Sequence, residues 1–152
     1  MNRVFTAPEY DNISTDKDLK IFLAGTIDMG SSPNWQEEII SVMNEALLGG
    51  MDKVIYNPRR SSFEGIDLEE QIKWELHHLD KSRVIIMNIL PGSKSPISLM
   101  ELGLYANSGK LLVCCPKEFY RYENVRIVCE KYKIPLFNNI GEISLKDLSS
   151  RL

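Results

Sequence analysis

A chain of 152 residues with a net charge of −3, 43% hydrophobic and 26% charged residues is sized for one self-contained domain. The acidic balance excludes the basic stripe of a nucleic-acid binder, and no apolar run approaches the roughly 20 residues that cross a bilayer. No charged segment followed by an apolar one opens the chain, so no secretion signal is read. Cys114, Cys115 and Cys129, an odd set with two adjacent, suit a reducing, cytoplasmic setting rather than a disulfide framework. No Cys or His spacing fits a metal site, and neither a metal nor a cofactor is expected.

Residues 1–19 are polar and aperiodic and read as an N-terminal arm to a single domain over 20–152. Five short apolar runs follow: KIFLAG (20–25), KVIYNP (53–58), RVIIMNIL (83–90), KLLVCCP (110–116) and IPLFN (134–138). Each is continuous rather than alternating, as in strands covered on both faces of a parallel sheet. Amphipathic segments lie between them. NWQEEIISVMNEALL starts with Asn34 as N-cap and ends at the Gly49-Gly50 pair. DLEEQIKWELHHLDK has Asp67 as cap and acids in its first turn. PISLMELGLYAN follows Ser95 as cap, with Pro96 at the first helical position. ENVRIVCEKY and SLKDLSSRL complete the set.

This repetition predicts an α/β three-layer sandwich of the flavodoxin/Rossmann-like kind, with a five-stranded parallel sheet in the order 2-1-3-4-5. Such sheets bind ligands in the crevice at the carboxyl ends of strands 1 and 3, where the order reverses. AGTIDMGSSPNW and LPGSKSPISLME fall at that mouth, and Glu101 opens on it from the helix that follows.

At about 100° per residue, that helix is apolar nearly all round, with Ser98, Glu101 and Tyr105 sharing one polar seam. A carboxylate in such a setting costs free energy unless it is used, so the seam reads as the wall of a polar pocket. Arg59 and Arg60 of NPRR suit a phosphate or carboxylate. Gly25 and Thr26 of AGT let the backbone approach whatever binds. Neither phosphate-loop glycine pattern is present. Glu75, in KWELHH, joins the site only if its end of the helix faces the crevice. The aromatic stretch FYRYENV (119–125) suits a lid or a subunit contact.

The segment SPISLMELGLYANSGKLLVCCPKEFYRYENV, with IFLAGTID, NPRR and QIKWELHHLDKSRVIIM, resembles the nucleoside 2-deoxyribosyltransferase-like family, in a divergent branch, over roughly residues 20–138. The resemblance implies that Glu101 is the nucleophile and that Glu75 contacts the base, where the family usually has Asp. Ser95 stands at the position of a second family Asp, six residues before the nucleophile. Asn124 corresponds, with a one-residue shift, to an Asn lent across a subunit contact, so a homo-oligomer is expected. The implied activity is transfer of a 2-deoxyribosyl group between bases through a glycosyl-Glu101 ester. Hydrolysis of a deoxynucleoside 5′-monophosphate, with Arg59, Arg60, Ser95 or Ser98 at the phosphate, is the alternative. A non-catalytic nucleotide sensor is a further one. The expected partner is a small nucleoside or nucleotide, with no nucleic-acid polymer and no membrane.

Overall fold

In the computed structural model, which describes residues 2–45 and 52–151, the apolar runs become strands of one parallel sheet. The strands are β1 (Arg3–Thr6), β2 (Leu19–Gly25), β3 (Lys53–Asn57), β4 (Val84–Asn88), β5 (Leu111–Cys114) and β6 (Leu136–Phe137). Their order is β1-β3-β2-β4-β5-β6, and every pairing is parallel. The five expected strands hold the expected 2-1-3-4-5 arrangement. The sixth comes from the arm, whose Arg3–Thr6 lies in register with Val54–Asn57.

Successive residues of the central strands face opposite layers. Leu19, Ile21 and Leu23 pack with Ile55, Val84 and Ile86 on one side, under α1 (Trp35–Glu45) and α5 (Leu145–Ser149). Phe22, Ala24, Tyr56, Ile85 and Met87 face the other side, under α2 (Leu68–Lys81), α3 (Pro96–Tyr105) and α4 (Tyr122–Tyr132). Because both faces are covered, β4 is buried at every position, which is why its sequence does not alternate. Asn34 accepts from Glu37 N–H and Asp67 from Glu70 N–H, so both act as the expected caps. The expected helix end at Gly49-Gly50 lies outside the described residues. Trp35 and Trp74 are core residues. Among the described residues no helix is long and apolar enough to cross a membrane.

The arm is held by one buried carboxylate. Asp11, 1% exposed, accepts from the Ile13 N–H at 3.0 Å, the Ser14 N–H at 2.9 Å, the Ser14 hydroxyl and the Tyr56 hydroxyl at 2.6 Å. Burial alone would raise its pKa, but these donors outweigh it and hold the carboxyl well below the usual range. Its own N–H donates to Nε2 of buried His78 at 3.2 Å, so His78 carries its proton on Nδ1 and donates it to Trp74 O at 2.8 Å. Lys81 Nζ closes the knot on Asp11 O at 2.6 Å, and Trp74 Nε1 donates to Glu9 O at 2.7 Å. Thus residues 2–18 form part of the fold.

Asp11→Ala strands the Tyr56 hydroxyl in a buried site and is expected to cost about 2–4 kcal/mol. Thermal unfolding of the variant, with limited proteolysis of residues 1–19, checks this. An unchanged melting temperature would contradict it.

Candidate active site

The site begins where β2 and β4 end. Gly25 has φ +126°, and a Cβ there would lie 2.1 Å from the Asn88 carbonyl oxygen, so only glycine fits. Its strict requirement comes from the neighbouring strand. Thr26 N–H then donates to Asn88 O at 3.0 Å, and Leu90 N–H donates to Thr26 Oγ1 at 3.0 Å. Thr26 Oγ1 also lies 3.1 Å from Ser93 Oγ and 2.7 Å from Ser95 Oγ, and the two serine oxygens are 2.7 Å apart. Ser93 donates to Leu90 O, so within the cluster its oxygen can only accept. Ser95 has left-handed backbone (φ 46°) and makes no side-chain cap to α3. Its expected capping role is replaced by this hydroxyl cluster, which fixes where α3 starts.

A cavity of about 590 Å³ opens above this floor, between the β2–α1 loop, α2 and α3. Gly25, Thr26, Asp28, Gln71, Glu75, Ser95, Ser98 and Glu101 line it, within apolar walls that include Phe22, Ile72, Met100 and Leu104. Glu101 is 6% exposed, and among the described residues no hydrogen bond or ion pair reaches its carboxylate. Burial, then the nearby Glu75 charge, pushes its pKa up to about 8. Burial also pushes Glu75 up to about 7, against the opposing influence of the Gln71 amide and the Arg60 charge. Two carboxyl groups thus share one largely apolar cavity and compete for protons at neutral pH.

The structure brings Gly25, Thr26, Glu75, Ser95, Ser98 and Glu101 together and leaves the other expected site residues elsewhere. Arg59 is 9% exposed and donates to Gly30 O, Ser32 O, Pro33 O and Ser32 Oγ. It clamps the loop after β2 and does not line the cavity. Arg60 donates through Nε to Gln71 Oε1 at 2.6 Å and is ion-paired with Glu70 at 2.8 Å. Gln71, which does line the cavity, donates on to Pro58 O at 3.0 Å. Tyr105, one helical turn beyond Glu101 on α3, lies outside the cavity and donates to Asp80 on α2 at 2.6 Å. Asn124 is exposed on α4 and outside the cavity. Phe119 is core and Tyr120 half-exposed, and neither lines this cavity.

Asp28 is a cavity residue that sequence reasoning passed over. It and Met29 have φ of 51° and 52°, followed by Gly30 at 88°, a left-handed run that a Met adopts only under constraint. The Arg59 clamp on the carbonyls just beyond supplies that constraint. The only trace in the sequence is an acid in the mouth segment AGTIDMG. Among the described residues no group of His, Cys, Asp and Glu is arranged to hold a metal ion. The buried Cys114 and Cys115 thiols are pushed up to about 12 by burial, which makes them poor nucleophiles.

The family model described as nucleoside 2-deoxyribosyltransferase like matches residues 18–119, about two thirds of the chain. The chain belongs to that family. No curated protein matches it. The matched span of this deoxyribosyltransferase-like chain contains every residue gathered at the cavity. It stops short of Asn124 and begins after the β1 arm.

Both raised carboxyl pKa values mean that the folded chain holds protons the unfolded chain releases. Stability is therefore expected to fall as pH rises from about 4.5 to about 8. Glu101→Gln removes its share of that slope. It should be more stable than the parent at pH 9, by on the order of a few kcal/mol, and match it below pH 4.5. Denaturant titrations across pH test this, and parallel curves would contradict it.

Proposed function

We propose that the protein is a nucleoside 2-deoxyribosyltransferase that acts through a glycosyl-Glu101 ester. The observation that carries the reading is Glu101 itself, buried and partnerless on the wall of a cavity that also holds Glu75. A carboxylate in an apolar wall, without hydrogen-bond donors, is a stronger nucleophile and a strong stabiliser of positive charge developing at a sugar carbon. With substrate bound the pair's proton passes from Glu101 to Glu75; ionised Glu101 attacks the anomeric carbon, the C1′–N bond electrons pass to the departing base, and Glu75 gives that base its proton. An incoming base then attacks C1′, surrenders its proton to Glu75 and releases Glu101 as carboxylate. Two displacements give net retention, by the logic of retaining glycosidases. Asp28 supplies a carboxylate to accept a sugar hydroxyl, a task the resemblance gives to an acid where this chain has Ser95.

The cavity favours an uncharged nucleoside over its 5′-monophosphate. Three carboxyl groups line it, and no Lys, Arg or His among the described residues does. The guanidinium groups that a phosphate would need are spent on loop carbonyls by Arg59 and on Gln71 and Glu70 by Arg60. Around the mouth, Ile72, Leu76, Ile97, Met100 and Leu104 expose apolar side chains. This supports closure of the site by a second copy of the chain, to which exposed Asn124 would be offered. Three free, buried cysteines fit a reducing cytoplasmic setting.

Thymidine incubated with adenine should yield deoxyadenosine on chromatography, and Glu101→Ala should lower the rate by at least about 10³-fold. Free sugar without an acceptor would instead indicate hydrolysis, and calorimetric binding without product would indicate a sensor. Unimpaired exchange by Glu101→Ala would remove the mechanism. In a second test, kcat/KM should be bell-shaped, with its optimum between pH 7 and 8, because turnover needs one proton on the carboxyl pair. A flat profile from pH 6 to 9 would contradict that coupling.

A further inference from the structure

A second cleft, of about 420 Å³, lies at the opposite, amino-terminal edge of the sheet, where β2, β4 and β5 begin. Five cations line it: Lys20, Lys81, Arg83, Lys110 and Arg151. Against them stand Asp16 and Asp18, and Asp18 is already paired with Arg3 at 2.8 Å. In a chain whose net charge is −3, this is a local excess of positive charge.

Part of that charge has a structural use. Lys81 donates to Asp11 O, and Lys110 donates to Asp80 O at 2.9 Å and Leu79 O at 3.3 Å. Lys81 thus anchors the arm, and Lys110 satisfies carbonyls at the C-terminal end of α2. Lys20 has no such use. The residue is 9% exposed, and its ammonium, which makes no hydrogen bond or close ion pair among the described residues, opens on the cleft and is attracted by Asp18 at longer range. Among the described residues Arg151 reaches only Gly109 O, at 3.4 Å, and its buried Nε has no partner there. An ammonium and a buried guanidinium N–H that meet at one cleft share a complement in an anion with several oxygens.

We propose that this cleft binds a phosphate group, with Lys20 and the buried Nε of Arg151 as its donors and Arg83 at its open side. Charge-assisted bonds from an ammonium and a guanidinium suit tetrahedral phosphate oxygens. The cleft has room for a pyrophosphate or a sugar phosphate as well as for phosphate alone. The site is distinct from the Glu101 cavity and does not depend on the transferase reading.

Calorimetric titration of the full chain with inorganic pyrophosphate at low ionic strength tests the proposal, with ribose 5-phosphate and inorganic phosphate as further arms. One saturable site is expected, and the tightest arm identifies the source of the phosphate. Lys20→Met and Arg151→Gln should each weaken binding at least about ten-fold, while Lys131→Gln on the distant α4 surface leaves it unchanged. Arg83→Gln, at an exposed position that folding tolerates, should weaken binding several-fold and serves if Lys20→Met does not fold. No saturable heat in any arm, or equal losses in Lys131→Gln and Lys20→Met, would overturn the proposal.

Discussion

The Asn88 carbonyl occupies the space where a side chain at position 25 would begin, and the active site follows from that contact. Because residue 25 is glycine, β2 can press against β4 to its last residue and then turn. Thr26 takes up the Asn88 carbonyl and offers its hydroxyl to Leu90, Ser93 and Ser95. That fixes the start of α3, and one and a half turns later the helix delivers Glu101 to the cavity wall. The position of Glu101 is therefore set by backbone geometry at the sheet's switch point and by three small hydroxyl side chains.

What makes the site capable of chemistry also makes it uncomfortable. A partnerless buried carboxyl is carried at a free-energy cost that the extensive apolar core offsets. The protein limits the damage by keeping protons on the pair near neutrality. In the proposed reaction, positive charge developing on the sugar ring reverses the preference by favouring ionised Glu101 at the moment of bond cleavage. Gln71, held between Arg60 and the Pro58 carbonyl, keeps a dipole beside Glu75 without bringing a cation into the cavity.

Much of this was legible in the sequence. Continuous apolar runs reported a sheet covered on both faces, and the two mouth segments followed from the strand order. Glu101 betrayed itself as one acid in an apolar helix. Arg59 was harder, because a guanidinium that binds a phosphate and one that binds three backbone carbonyls look alike in sequence. Tyr105 shares the nominal seam with Glu101, but Asp80, on another helix, captures its hydroxyl. Strand β1 was hidden because an edge strand of four residues needs little apolar content, and the arm's anchor, Asp11, acts on residues more than forty positions away. Asp28 was hidden because its importance lies in a backbone conformation imposed by Arg59.

The sewn-in arm also changes where the domain should be considered to start. Family similarity begins at residue 18, yet a chain cut there would lose the outermost strand and leave the β3 edge bare beside an unlatched Tyr56 and His78. Uncovered strand edges pair with one another, so the shortened chain would self-associate through its sheet. The natural limit of the folding unit thus lies upstream of the limit of recognisable ancestry.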